Sequence, residues 1–465
     1  MKISRLHFLS ALLALFPLEN AMGESASSRQ PDMLTVGGDL RLRNEYMNNA
    51  LSLSDNAVGH DQDYYRIRAR VWAALQASES LSFNARITAE PRIWMESPTF
   101  ARQHPGLGAE ERYAIVDLLN AKWTASIADD WTLSCTAGRQ DVQLGDVGKW
   151  WLVADASPGD GSWTASFDAL RFTFENKASH TKMEFIALET RALPDSNLPV
   201  LGARSTYSLT EQNERGLIAY VTQDLSPGTQ WSGYAIYKKD SKALANGDDG
   251  ETYTFGTRVS GSLSEHWRYD CEGALQGGWK RDAMLKRADV VSGSRDVRAW
   301  GANARLSYLL NDSMQNKLSL ECEYLSGDDP HTDNDEMFDI LWGRYPRWSD
   351  AYAFAYAQET GGKLGQMNNL LRIGPSWSCS PVKSLSLTAA YAVLMAPEST
   401  PTRATNAGLF SFDGHMRGHF WQMIAKYQFT KSISALVCGE LVAQGDYYAN
   451  KDTQSFVRFE LYTRF

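Results

Sequence analysis

The chain ends on Thr453–Phe465, TQSFVRFELYTRF. Val457, Phe459, Leu461 and the terminal Phe465 fall at odd positions. Arg458, Glu460 and Arg464 fill the gaps between them. A two-residue period is the signature of a strand with one apolar and one polar face. A strand of this kind needs something apolar on one side and something polar on the other.

Working upstream, the same period recurs in segments of about 10–15 residues separated by turn formers. About 18 such strands can be placed between residues 34 and 465, an even number. Their connections alternate. Long stretches (47–62, 96–111, 142–162, 191–212, 239–250, 281–296, 327–366, 397–415) follow one end of the strands. Short ones (78–79, 127–130, 176–179, 225–228, 264–265, 311–315, 379–383, 430) follow the other. A soluble sandwich has no reason to keep this asymmetry. The pattern predicts an all-β transmembrane antiparallel β-barrel with long extracellular loops and short periplasmic turns. The last strand then resembles the closing strand of a bacterial outer-membrane barrel, where a C-terminal Phe acts as an assembly signal.

The N-terminus fits that location. Lys2 and Arg5 precede an apolar run, Phe8–Leu18, and Ala21-Met22-Gly23 fits a small-residue cleavage site. The expected organisation is a signal peptide at 1–23, a short periplasmic segment at 24–33 and the barrel at 34–465. No later stretch approaches the ~18 consecutive apolar residues of a membrane helix. Trp 15, Tyr 20 and Phe 18 are many for a chain of mean hydropathy −0.38, which suits aromatic girdles around a polar interior. The net charge of −9 argues against nucleic acid as a partner. Five cysteines cannot all pair, and they read as small buried or lipid-facing residues.

Alternation also predicts which side chains point inward. Leu40 and Leu42 face lipid, so Asp39, Arg41, Arg43 and Glu45 face the lumen. Ile67, Ala69 and Val71 face out, leaving Arg66, Arg68 and Arg70 stacked inward. Arg86 and Arg92, then Arg171, Arg258, Arg305 and Arg458, follow by the same reasoning. An arginine facing lipid at the bilayer midplane costs about 2–4 kcal/mol, so a strand with three at period two aims them inward. Two readings of the arginines stay open. A charge ring in a pore sets ion selectivity. Equally, Arg–Glu ladders brace barrel walls, and acids such as Glu45, Glu90, Glu184, Glu321 and Glu460 are available. The long 327–366 loop, with Trp342, Arg344, Tyr345, Arg347 and Trp348, is expected to fold back as a lid or plug over the mouth.

Several segments resemble the alginate-export outer-membrane family. Gly38-Asp39-Leu40-Arg41-Leu42-Arg43-Asn44-Glu45 matches its opening strand, and Arg66-Ile67-Arg68-Ala69-Arg70 its second. Gly138-Arg139-Gln140 through Gly145-Asp146, Ser166 through Arg171, Ser326-Gly327-Asp328 and Gly445-Asp446-Tyr447-Tyr448 follow in family order. The resemblance implies an arginine-lined pore for an anionic uronate polysaccharide. It points to Arg41, Arg43, Arg66, Arg68, Arg70, Arg139 and Arg171. Strict alternation from Leu133 and Cys135 turns Arg139 outward, unless Gly138 marks a bulge.

The expected function is therefore a channel for anionic saccharide, an alginate-like polymer or oligomer. The alternatives are a porin for small anions or sugars and a sealed surface-binding barrel. Expected partners are the saccharide, outer-membrane lipid, the barrel-assembly machinery and periplasmic secretion components. An enzyme finds little support: His60, His104, His331 and His415 lie in loops, with no nucleophile–base pair in view. No cofactor is expected. Asp328, Asp329, Asp333 and Asp335 offer hard oxygen ligands for calcium, but the EF-hand glycine is missing and a solvated acidic loop competes.

Overall fold

The computed structural model describes residues 33–96, 109–110, 114–144, 167–193, 197–198, 201, 208–281, 293–343, 348–363, 366–401 and 406–465. The expected signal peptide and all but Met33 of the segment after it lie outside these residues, as do Arg344, Tyr345 and Arg347. The strands are β1 (Leu34–Asn48), β2 (Asp61–Gln76), β3 (Leu81–Ala89), β4 (Arg92–Glu96), β5 (Ala109–Glu110), β6 (Ile115–Ala128), β7 (Trp131–Gln140), β8 (Phe167–Asn176), β9 (Thr181–Thr190) and β10 (Gln212–Ser226). They continue with β11 (Thr229–Lys242), β12 (Asp249–Ser262), β13 (Trp267–Arg281), β14 (Arg295–Leu309), β15 (Lys317–Leu325), β16 (Leu370–Val382), β17 (Leu385–Met395), β18 (Met416–Gln428), β19 (Ile433–Gln444) and β20 (Thr453–Arg464). One helix, α1 (Ala351–Glu359), lies between β15 and β16.

β3 and β4 form one wall strand. Ala69 opposite Ala89 and Arg66 opposite Arg92 keep a single register against β2. Pro91 has no N–H to donate and interrupts the ladder between them. With that pair taken as one and the two-residue β5 set aside, eighteen antiparallel strands close the wall. β20 pairs with β1 from Asp39–Arg464 to Asn48–Ser455. Gly38 N donates to Phe465 O at 2.9 Å and Phe465 N returns a bond to Gly38 O at 3.0 Å. Closure leaves no strand edge, which a sheet in hydrocarbon requires.

The outer face is apolar and uncovered. Leu42, Phe83, Leu217, Phe255, Leu275, Met423 and Phe459 are all exposed. Against water each would forfeit about 1.5–3 kcal/mol of burial energy; against acyl chains it does not. Aromatic pairs mark the two rims: Trp267–Tyr308 at 4.9 Å near the short turns, Trp300–Tyr324 at 4.0 Å near the long loops. All five cysteines are free thiols.

The long loop between β15 and β16 enters the barrel rather than lying over its mouth. Gln276 on β13 grips its backbone, donating to Asp339 O at 2.7 Å and accepting from Asp339 N at 2.8 Å. Gln422 on β18 donates to Trp348 O at 2.9 Å. Trp342 seats on Gly216, where even a Cβ would stand 2.2 Å from the indole ring. Phe338, Ile340, Leu341, Tyr352 and Tyr356 join inward-facing Ile186, Leu188, Ile218 and Ile236 in one apolar core. Asp350 gives α1 no side-chain cap. Glu440 of β19 does so from the wall, accepting from Asp350 N and Ala351 N, both at 3.1 Å. A carboxylate there answers the helix dipole and its unsatisfied N–H groups.

Candidate functional site

β1 and β2 set their arginines face to face: Arg41 opposite Arg68 and Arg43 opposite Arg66. Like charges directly across a pair of strands repel. Acids of β1 itself and of the neighbouring wall supply the counter-charge. Glu90 bonds Arg41 at 2.9 Å and also holds Arg66. Asp39 spans Arg68 at 3.1 Å and Arg70 at 2.8 Å. Glu45 meets Arg458 at 2.6 Å and Arg66 at 3.4 Å, and Glu460 holds Arg43. Arg66 is only 3% exposed, and Arg41, Arg43, Arg68 and Arg458 are buried with it. The second strand carries no alternating acid of its own, but its neighbours do, and the wall is an ion-pair lattice rather than a bare ring.

The remaining arginines are spread around the wall. Arg86 bonds Asp117 at 2.9 Å and Asp141 at 3.0 Å. Arg171 holds Glu184, Arg258 holds Asp270 through Nε at 2.9 Å, and Arg305 reaches Glu321 at 3.2 Å. Arg92 lies over the Tyr64 ring at 5.4 Å. The Arg305 side chain keeps 30% of its surface exposed, against 4% for Arg66.

Arg139 stands apart. Gly138 adopts φ +116°, yet pairing on both sides of it runs on without a shift. Alternation therefore persists. Arg139 is level with Leu119 and Asp168, and Asp168 shares the phase of exposed Leu170 and Phe172. Its guanidinium bonds Asp168 at 2.8 and 3.0 Å. It does not join the inward arginines.

A second charged cluster went unread in the sequence. Lys238 lies 3.4 Å from Asp339 of the in-folded loop and 3.2 Å from Asp240. Lys280 reaches Asp248 at 3.1 Å and Asp339 at 3.7 Å, and Lys363 reaches Asp248 at 2.6 Å. All are buried. The signal was present: Lys238 and Asp240 alternate with Tyr237 and Lys239. Burial alone would raise the Asp339 carboxyl, but Lys238 and Lys280 overcome it and hold the group at about 2. Four residues before Lys363, at the end of α1, Glu359 is gripped by buried Arg417, which lies 4.3 Å over Tyr447.

The acidic loop does not gather around a cation. Arg295 bonds Asp328 at 2.9 Å and Asp335 at 3.3 Å, filling the space between the two carboxylates, while Asp333 is exposed. Burial pushes the Asp335 carboxyl up to about 6.

A closed eighteen-stranded wall, an ionic lumen and an in-folded loop describe a channel architecture. The alginate-export family model matches residues 32–459. The chain belongs to the alginate-export family. No curated protein sequence matches it. Among solved structures, OprD of Pseudomonas aeruginosa shares 10% identity at TM-score 0.51, over 92% of this chain and 95% of its own. OccAB1 of Acinetobacter baumannii shares 11% at TM-score 0.55, over 92% and 96%. OpdQ of Pseudomonas aeruginosa shares 12% at TM-score 0.52, over 92% and 98%. These likenesses concern the fold. Family and fold together make this alginate-export barrel a channel of the bacterial outer membrane, not an enzyme.

Proposed function

We propose that the channel passes an anionic saccharide, an alginate-like uronate polymer or oligomer, through its lumen. The carrying observation is the distribution of inward arginines: Arg70, Arg86, Arg171, Arg258 and Arg305 stand on five different wall strands. An arginine on each side lets a chain of carboxylates exchange one fork for the next. Each guanidinium already has an acid, so it is oriented before the sugar arrives, and the sugar competes for it rather than meeting a bare charge. The family match supports the uronate.

The same acids favour a second reading, a porin for small anions or sugars, because a paired lattice carries little net charge. Proteoliposomes loaded with labelled oligouronate and with a neutral oligosaccharide of equal length separate the two. Faster efflux of the uronate is expected. Equal rates would leave the porin, and no efflux of either would leave the sealed barrel.

A further inference from the structure

A cavity of about 150 Å³ lies in the lumen between Trp348 and the wall strands β14–β18. It holds the volume of about five waters. Trp348 and Phe420 form its apolar side, edge to face with ring centres 5.0 Å apart. Arg305 and Arg372 with their partner acids Glu321 and Glu323, and the amides of Asn303 and Gln422, supply its polar side. The aromatic is fixed from three directions. Gln422 holds the Trp348 carbonyl at 2.9 Å, the Arg372 guanidinium lies 5.4 Å over its ring, and Glu440 anchors the next residues at the start of α1.

The two arginines differ. Arg372 bonds two acids, Glu321 through Nη2 and Glu323 through Nε, both at 3.1 Å. Arg305 comes within 3.2 Å of Glu321 through Nε, and its side chain stays 30% exposed against 8% for Arg372. An aromatic side facing a fork and two amides is the chemistry of an acidic sugar. The ring's C–H face takes the apolar surface, the hydroxyls take the amides, and the carboxylate takes the fork.

We propose that this cavity is a subsite for one uronate ring, with Arg305 reading the carboxylate and Trp348 with Phe420 taking the apolar face. The inference rests on the saccharide reading above and adds a place to it. The wall supplies all of the lining but Trp348, which the in-folded loop contributes, so occupancy senses the loop's position.

The test is block of single-channel current by an oligouronate in planar bilayers. Arg305→Ser removes a charge-assisted pair and is expected to weaken block by roughly 10- to 100-fold. Trp348→Ala is expected to weaken it by about tenfold, and Trp348→Phe to keep it within a few-fold. A neutral oligosaccharide of equal length should block the wild type at least about tenfold less well. Arg305→Ser is a wall substitution that removes none of the hydrogen bonds holding the loop, so loosening of the loop by Trp348→Ala cannot mimic the result. Wild-type block that persists unchanged in both Arg305→Ser and Trp348→Ala overturns the subsite and leaves the saccharide channel standing. A wild-type channel indifferent to oligouronate overturns both.

Discussion

The arginine wall on β1, β2 and β20 and the lysine clasp on β11 and β13 hold charge in opposite ways. In the wall, base and acid come mainly from the barrel itself: Arg66 answers Glu90 and Glu45, and Arg43 answers Glu460, while Arg458 also reaches a loop acid, Asp350, at 2.8 Å. In the clasp, the pairs cross from wall to loop: Lys238 and Lys280, beside their nearer acids Asp240 and Asp248, also reach Asp339 of the in-folded loop, and Lys363 of that loop reaches Asp248. A pair between two strands can break only if the strands part. A clasp pair breaks if the loop leaves. The first arrangement braces the barrel, and the second fastens the piece that fills it.

Removing that piece gives the largest expected change. Replacing residues 336–363 with a short Gly/Ser linker should raise single-channel conductance by roughly an order of magnitude, since wide barrels without a filling loop hold an aqueous channel. Breaking one side of the comparison at a time comes next. Arg66→Met takes one of two arginines from each of Glu90 and Glu45, which keep Arg41 and Arg458, and should destabilise the barrel by about 1.5–3 kcal/mol in denaturant titrations. Lys238→Met should raise conductance several-fold while moving the denaturation midpoint less than Arg66→Met does. If Lys238→Met destabilises the barrel as much and leaves conductance alone, the clasp is a second brace.

Acid sharpens the comparison within the loop. The Asp335 carboxyl is raised by burial from 3.8 to about 6, so the folded loop binds a proton that the released loop does not. Its contribution to loop attachment is present at low pH and lost as pH rises from about 4 through 6. Asp339, held at about 2, loses its contribution only below its ordinary value of 3.8. Lowering pH from 7 to about 5 should therefore reduce protease cleavage of the loop, and Asp335→Asn should flatten that response. The smallest effect is expected at Arg139: Arg139→Ser should leave ion selectivity unchanged, and a shift would place the side chain in the lumen after all.

The sequence made the wall legible because lipid imposes a strict period. Leu42, Phe83 and Phe459 could only face out, so Arg41, Arg66 and Arg458 had to face in. The pairing of those arginines was half visible. Glu45 and Glu90 were in view, but the register that brings Glu460 to Arg43 depends on closure of the ring. The clasp was hidden for a different reason. Asp339 and Lys238 are about a hundred residues apart, and no local period ties an irregular loop to a strand. One hint was present in Phe185-Ile186-Ala187-Leu188, apolar on both faces. A barrel strand of that kind announces a covered inner surface, which Trp342 and its neighbours supply. Arg139 is where two sequence signals diverge: register sets it level with Leu119 and Asp168, while the family pattern sets it among the pore arginines.

Reversal potential in a planar bilayer under a potassium chloride gradient tests the central claim most directly. A lumen whose oriented arginines receive anionic sugar predicts an anion-selective potential that collapses toward zero when Arg70, Arg86, Arg171 and Arg305 are replaced by Ser together. A cation-selective wild type, or a potential unmoved by those four substitutions, would contradict the account.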